Sequence, residues 1–148
     1  MQIAICKKRI LKKILILGAS GFIGNSIQKE LSKYYNTFGT YFTNKSFKIK
    51  NNFQYYDITS SDVNKIIIRV KPNLIISCLK GPFSFQIKTH ESLIKYVKEN
   101  NCRIMFISSS NVFDAFEHFP SYEYDKTLSK SRYGKFKSTI ENLILKLN

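Results

Sequence analysis

The chain has 148 residues, one domain's worth of material, and a chain of that length can bury about 70% of its unfolded surface. Hydrophobic residues make up 43% and aromatics 14%, with 12 Phe and 9 Tyr, which excludes a disordered chain unable to offset its ordering entropy. Lys and Arg number 24 against 10 acids, a net +14, and such a surplus either attracts anionic partners or simply solvates a lysine-rich surface.

Residues 1–11 read as a short extension ahead of a single domain over 12–148. A secretory leader would need a longer apolar stretch after the basic start. Instead Lys12-Lys13 leads straight into Ile14-Leu15-Ile16-Leu17-Gly18, a run typical of a strand buried on both faces. Phe22 to Tyr35 then reads as a helix with Ile23, Ile27 and Leu31 on one face. Thr37–Phe42 and Phe53–Ile58 are the second and third strands, separated by the polar, basic loop Thr43–Asn52. Thr59 reads as the N-cap of the next helix with Asp62 three residues on; its stripe is Val63, Ile66, Ile67 and Val70, and Lys71-Pro72 ends it. Leu74–Leu79 is the fourth strand. A helix follows from about Phe85 to Glu99, with Ile87, Leu93, Ile94 and Val97 inward. Arg103–Ser108 is the fifth strand, and the last helix runs to Leu147 on Phe136, Ile140, Leu143, Ile144 and Leu147. No stretch approaches the ~18 apolar residues of a membrane span.

Strands alternating with helices predict an α/β, Rossmann-like, doubly wound parallel sheet of order 3-2-1-4-5. Ligands of such a sheet gather outside the carboxyl ends of its strands, at the switch between strands 1 and 4. The first strand ends there in Gly18-Ala19-Ser20-Gly21-Phe22-Ile23-Gly24, which holds half of the protein's six glycines. In this G-x-x-G-x-x-G, Gly18 turns the chain, Gly21 lets a pyrophosphate approach, and Gly24 lets helix and strand pack. The helix N-terminus offers the phosphates free N–H groups and partial positive charge. The loop therefore predicts dinucleotide binding through Gly18, Ser20, Gly21, Phe22, Ile23 and Gly24.

No acid stands at the end of strand 2 for the ribose hydroxyl of NAD. Lys45 stands there instead. Facing a 2′-phosphate it tips NAD(P) slightly toward NADP(H); otherwise it is a solvated loop lysine. Asp57, at the end of strand 3, either accepts from the adenine amino group or caps the next helix.

The fifth strand ends in Ser108-Ser109-Ser110-Asn111-Val112-Phe113-Asp114, and the last helix opens on Tyr133-Gly134-Lys135-Phe136-Lys137. Tyr133 and Lys137 share a helical face, and an ammonium beside a phenol favours the ionised form that proton transfer uses. Tyr41/Lys45 and Tyr122/Lys126 have the same spacing, but only Tyr133/Lys137 opens a helix after a serine-rich strand end.

Together the glycine loop, the serine run and Tyr133/Lys137 resemble the extended short-chain dehydrogenase/reductase family. The interval of 24 residues from Ser109 to Tyr133 is also similar. Ser-Ser-Ser-Asn-Val-Phe-Asp, Tyr122-Glu123 and Tyr-Gly-x-x-Lys are most similar to the branch of dTDP-4-dehydrorhamnose reductase and related sugar-nucleotide enzymes. The resemblance implies a cytoplasmic NAD(P)-dependent oxidoreductase acting on the carbonyl of a nucleotide-sugar substrate. Ser109 would bond the substrate oxygen, Tyr133 exchange a proton with it, and Lys137 hold the nicotinamide ribose. The bland readings are a capping Ser109, a packed Tyr133 and a surface Lys137.

Three features depart from the family. Leu79 and Lys80 replace small residues beside the cofactor, the acid of strand 2 is absent, and relatives are about twice as long. The resemblance thus implies a cofactor half without most of the substrate pocket. A dinucleotide-binding module without turnover is the alternative, and a homodimer is compatible with either. A basic nucleic-acid-binding protein has no helix-turn-helix, zinc or RNP-type signature behind it. No metal is expected: His90, read onto a helix flank, and His118, in the loop with Asp114, Glu117, Glu123 and Asp125, have no partners in register. Cys6, Cys78 and Cys102 form no C-x-x-C pair and fit a reducing compartment. Cys78 and Cys102 fall at opposite ends of parallel strands, beyond disulfide reach.

Overall fold

The computed structural model describes residues 12–113 and 121–147. The extension 1–11 with Cys6, and Asp114, Glu117 and His118, lie outside the described residues. The strands are β1 (Lys13–Leu17), β2 (Asn36–Tyr41), β3 (Phe53–Tyr55), β4 (Leu74–Ser77) and β5 (Arg103–Phe106). The helices are α1 (Phe22–Leu31), α2 (Val63–Val70), α3 (Phe83–Glu99) and α4 (Arg132–Leu145). All strand pairings are parallel, in the order β3-β2-β1-β4-β5. This is the sheet expected from the alternation of elements. Among the described residues no helix is long and apolar enough to cross a membrane.

Side chains of β1 alternate between the two faces of the sheet. Leu15 and Leu17 join Val63, Ile66, Ile67, Val70, Ile75 and Leu93 under α2 and α3. Ile14 and Ile16 join Ala19, Phe47, Phe53 and Ile76, with Ile27 and Leu31 of α1 packed on them. Full burial of each such aliphatic contributes about 1.5–3 kcal/mol, so both faces of the central strands drive folding.

Several boundaries differ from the sequence reading, each for a local reason. α1 stops at Leu31 because the amides of Ser32, Tyr34 and Tyr35 close onto the carbonyls of Gln28 and Leu31. Its inward face carries Gly24 and Gln28, not Ile23, which is exposed. Gln28 is buried because its Nε2 donates to Thr37 Oγ1 at 2.7 Å. The loop after β2 contains a 3-10 helix over Lys45–Ile49, capped by the Asn44 side chain. Asp62, not Thr59, caps α2, its carboxylate accepting from the Asn64 amide at 2.9 Å. Pro82, with its preset φ, precedes α3, which therefore begins at Phe83. The inward face of α3 is Gln86, Thr89, His90 and Leu93. His90 is thus fully buried and not on a flank. The residues of the last two parallel strands stop at Ser77 and Phe106, where the chain leaves the ladder to form the site.

Candidate functional site

The glycine loop is shaped by backbone contacts. Gly18 has φ +78°, a left-handed conformation that a side chain disfavours. A Cβ there would also lie 2.6 Å from the Cys78 carbonyl oxygen across the switch point. Gly24 leaves no room for a Cβ against the Gly18 carbonyl. Gly21 differs: its Cβ position meets only the Gly18 oxygen, at 3.3 Å, and otherwise faces open space. No side chain caps α1, so its first N–H groups stay available to an anion. Thr40, a residue the sequence reading did not single out, sets the loop: its Oγ1 accepts from the Gly18 amide at 2.8 Å and its carbonyl from Ser20 at 3.2 Å. Phe22 and Ile23 are exposed at the loop's outer edge. The cradle, open at Gly21 and lined by free amides, fits a pyrophosphate.

At the end of β3, Asp57 organises a turn. Its Oδ1 accepts from the Thr59 amide at 2.9 Å and hydroxyl at 2.7 Å, and its Oδ2 from the Ser60 hydroxyl at 2.9 Å. The Thr59 amide bond, then the two hydroxyls, hold its carboxyl below the ordinary aspartate value. Lys45 stands exposed at the start of the 3-10 helix.

The second half of the site joins β5 to α4. Tyr133 lies in the first turn of α4 and is 40% exposed. One turn on, Lys137 is only 7% exposed, so it is not a surface lysine. Its Nζ donates to the Ile107 carbonyl at 2.8 Å and stands 4.4 Å from the Phe106 ring centre and 5.6 Å from that of Tyr133. Burial holds its ammonium below the usual lysine value, against the opposing pull of Cys78 and Glu141. Cys78, half-buried at the end of β4, has its thiol pushed up by burial, an effect Lys137 opposes. Cys102 is a buried free thiol pushed up to about 11, also by burial.

Ser109 caps a short 3-10 turn over Ser110–Val112, its Oγ accepting from the Asn111 amide at 3.2 Å. The capping reading is therefore realised, and it leaves the hydroxyl proton free to donate elsewhere. Gly134 brings this turn to α4: a Cβ there would overlap the Asn111 carbonyl and the Ser129 side chain. The segment Ile107–Asn111 thus runs against the first two turns of α4. Tyr41/Lys45 straddle a strand end and a 3-10 helix, and Tyr122/Lys126 lie in irregular chain, so Tyr133/Lys137 alone of the three pairs shares an α-helix.

A cleft of about 320 Å³ opens between the start of α3 and α4. Tyr133 and Lys137 line it, with Leu79, Lys80, Phe83 and Gln86. Phe83 stacks on Phe136 with ring centres 4.3 Å apart. Gln86 donates to the Gly81 carbonyl at 2.7 Å and keeps a buried, unpartnered Oε1. Sequence reasoning missed Phe83, Gln86 and Gly134. For Gly134 a signal existed: a glycine in the first turn of a helix costs stability and marks a close approach. Among the described residues no cluster of metal ligands occurs.

Residues 14–148 match the model of the NAD dependent epimerase/dehydratase family. The chain belongs to that family. At the level of the family, the resemblance read from the sequence and the expectation of an NAD-type dinucleotide both hold. No curated protein matches the chain in sequence. Its fold is that of UDP-glucuronic acid 4-epimerase from Bacillus cereus, solved with NAD, at 20% identity and TM-score 0.69 over 91% of this chain and 52% of that one. The Bordetella bronchiseptica enzyme WbmG, solved with NAD, is 11% identical with TM-score 0.76 over 95% and 51%. L-threonine 3-dehydrogenase from Trypanosoma brucei is 16% identical with TM-score 0.76 over 90% and 48%. The chain spans about half the length of these relatives.

Proposed function

We propose that this chain carries the cofactor-binding and proton-transferring part of a cytoplasmic NAD(P)-dependent oxidoreductase of the sugar-nucleotide type, nearest in its motifs to dTDP-4-dehydrorhamnose reductase. The observation that carries the reading is the buried Lys137, bonded to the end of β5 one helical turn after the accessible Tyr133. The glycine loop and the N-terminus of α1 hold the pyrophosphate. When bound, the nicotinamide supplies hydride exchange with a carbonyl carbon. Lys137 holds the nicotinamide ribose and keeps a positive charge beside Tyr133. The Tyr133 hydroxyl exchanges a proton with the substrate oxygen, and the Ser109 hydroxyl donates to the same oxygen. Asp57 serves the adenine side. With no acid at the end of β2 and Lys45 exposed nearby, NADPH is favoured slightly over NADH.

Titration of the chain with NADPH and NADH by nucleotide fluorescence tests this. Saturable binding is expected, and Gly21→Val should weaken it at least about a hundredfold, because the added side chain occupies the open cradle while its Cβ clears the backbone. A Gly21→Val variant that binds like the parent would show that the loop is only a tight turn. A second reading keeps the dinucleotide and drops the turnover. It draws on Leu79 and Lys80, which line the cleft beside Tyr133 and Lys137. NAD(P)H consumption with a dTDP-4-keto sugar separates the two readings.

A further inference from the structure

We propose that His90, on α3, is a positioning residue for the Lys137 ammonium, acting through the ring of Phe106. The proposal rests on the reading of Lys137 given above. His90 is 0% exposed, and its Nδ1 lies 2.7 Å from the Gln86 carbonyl oxygen. A carbonyl only accepts, so Nδ1 carries the proton and Nε2 presents a lone pair. Burial pushes the imidazole below its usual value; the bond to Gln86 opposes this and the Lys137 charge adds to it. The bond to Gln86 fixes the ring's rotation, and the ring meets that of Phe106 at 5.1 Å between centres and 80° between planes.

Phe106 is the last residue of β5, half-buried at the end of an edge strand. Strand pairing alone leaves its side chain free to turn. His90 supplies the second wall, and Lys137 Nζ then rests 4.4 Å above the ring centre. The Gln86 carbonyl, His90, Phe106 and Lys137 thus form a chain of contacts from the middle of α3 to the site. One further feature separates this from ordinary core packing. His90 Nε2 is buried with no hydrogen-bond partner among the described residues. A bare buried acceptor costs stability that an apolar side chain of similar size would avoid. Local rules broken in this way are characteristic of functional positions.

The test is a double-mutant cycle on His90→Leu and Phe106→Leu, reading three quantities: Tm, the Kd for NADPH, and the Lys137 Cε resonance in carbon-13 lysine-labelled protein. His90→Leu is expected to keep or raise Tm, to raise the Kd about tenfold through the weakened cation–π contact, and to move the Lys137 resonance. Phe106→Leu should do the same to Kd and resonance, Phe106→Tyr should leave both near the parent, and the double variant should be no worse than Phe106→Leu alone. Additive effects would show that His90 does not act through Phe106. A His90→Leu variant with an unmoved resonance and unchanged Kd, whatever its Tm, would reduce His90 to packing and overturn the proposal. Should Phe106→Leu fail to fold, His90→Leu and Phe106→Tyr still decide it. A parent that binds neither NADPH nor NADH would sink the functional reading alone, and the Lys137 resonance would still judge the role of His90.

Discussion

Strands β1 and β5 are both short, apolar and parallel, and each feeds one half of the site. β1 lies between β2 and β4, with Leu15, Ile16 and Leu17 fully buried. Among the described residues β5 has a neighbour on one side only, and Met105 on it is 50% exposed. The centre builds its half mostly from backbone: the glycine loop packs on carbonyls and amides of the sheet, with the Thr40 hydroxyl as the one side-chain contact described above. The edge does not. Its half is assembled by side chains reaching back from later helices, Lys137 to the Ile107 carbonyl and the first turn of α4 onto Asn111.

The largest expected effect lies at the edge. In a form that turns over, Tyr133→Phe should lower kcat by about 10² to 10⁴ with the NADH Kd unchanged, and Lys137→Met should worsen both. Full activity in Tyr133→Phe would strip the β5 half of its chemical role. At the centre, Gly24→Val places a Cβ on the Gly18 carbonyl and 2.9 Å from the Ala19 Cα. Urea unfolding should show a loss of about 3 kcal/mol; a neutral result would mean that the loop yields easily and that its rigidity is overstated.

Gly134→Ala is a closer contest. Helix propensity favours Ala by about 1 kcal/mol, while the new methyl overlaps Asn111 and Ser129, a clash worth roughly 1–3 kcal/mol. Net destabilisation by about 1 kcal/mol is expected, and a stabilised variant would show the α4 contact to be loose.

The smallest effect concerns acid. The folded-state value of Asp57 is depressed by its bonds to Thr59 and Ser60. Its contribution is therefore complete above the unfolded aspartate value of about 3.9 and disappears as pH falls through the lower folded value. The difference in urea midpoint between parent and Asp57→Asn should shrink below about pH 4. A constant difference would assign the effect to something other than charge.

The β1–loop–α1 unit was legible because an apolar run, three glycines and a helical stripe are neighbours in sequence. Tyr133 and Lys137 were legible as a pair for the same reason, since one turn of helix joins them. Their surroundings were not. Lys137 looks like one more of many lysines until Ile107, thirty residues earlier, supplies the acceptor that lets it be buried. His90 reads onto a helix flank and Gln28 carries no signal, because their partners Phe106 and Thr37 come from other elements. Ile23 fails in the opposite direction. Its place in the stripe suggested burial, but the close packing of Gly24 against the loop turns the helix so that Ile23 faces out.

The clamp between Asn111 and Gly134 has a consequence for how such a protein changes over time. The Ser129 amide donates to the Val112 carbonyl at 3.1 Å, next to the Gly134 contact, so the segment between Val112 and Ser129 is tied at both feet. A loop closed at its base can lengthen cheaply, at about 0.6 kcal/mol for each doubling. Insertions there would lengthen the segment without moving Ser109, Tyr133 or Lys137. That stretch can therefore vary in length between descendants while the contact of Lys137 with the end of β5 is inherited unchanged.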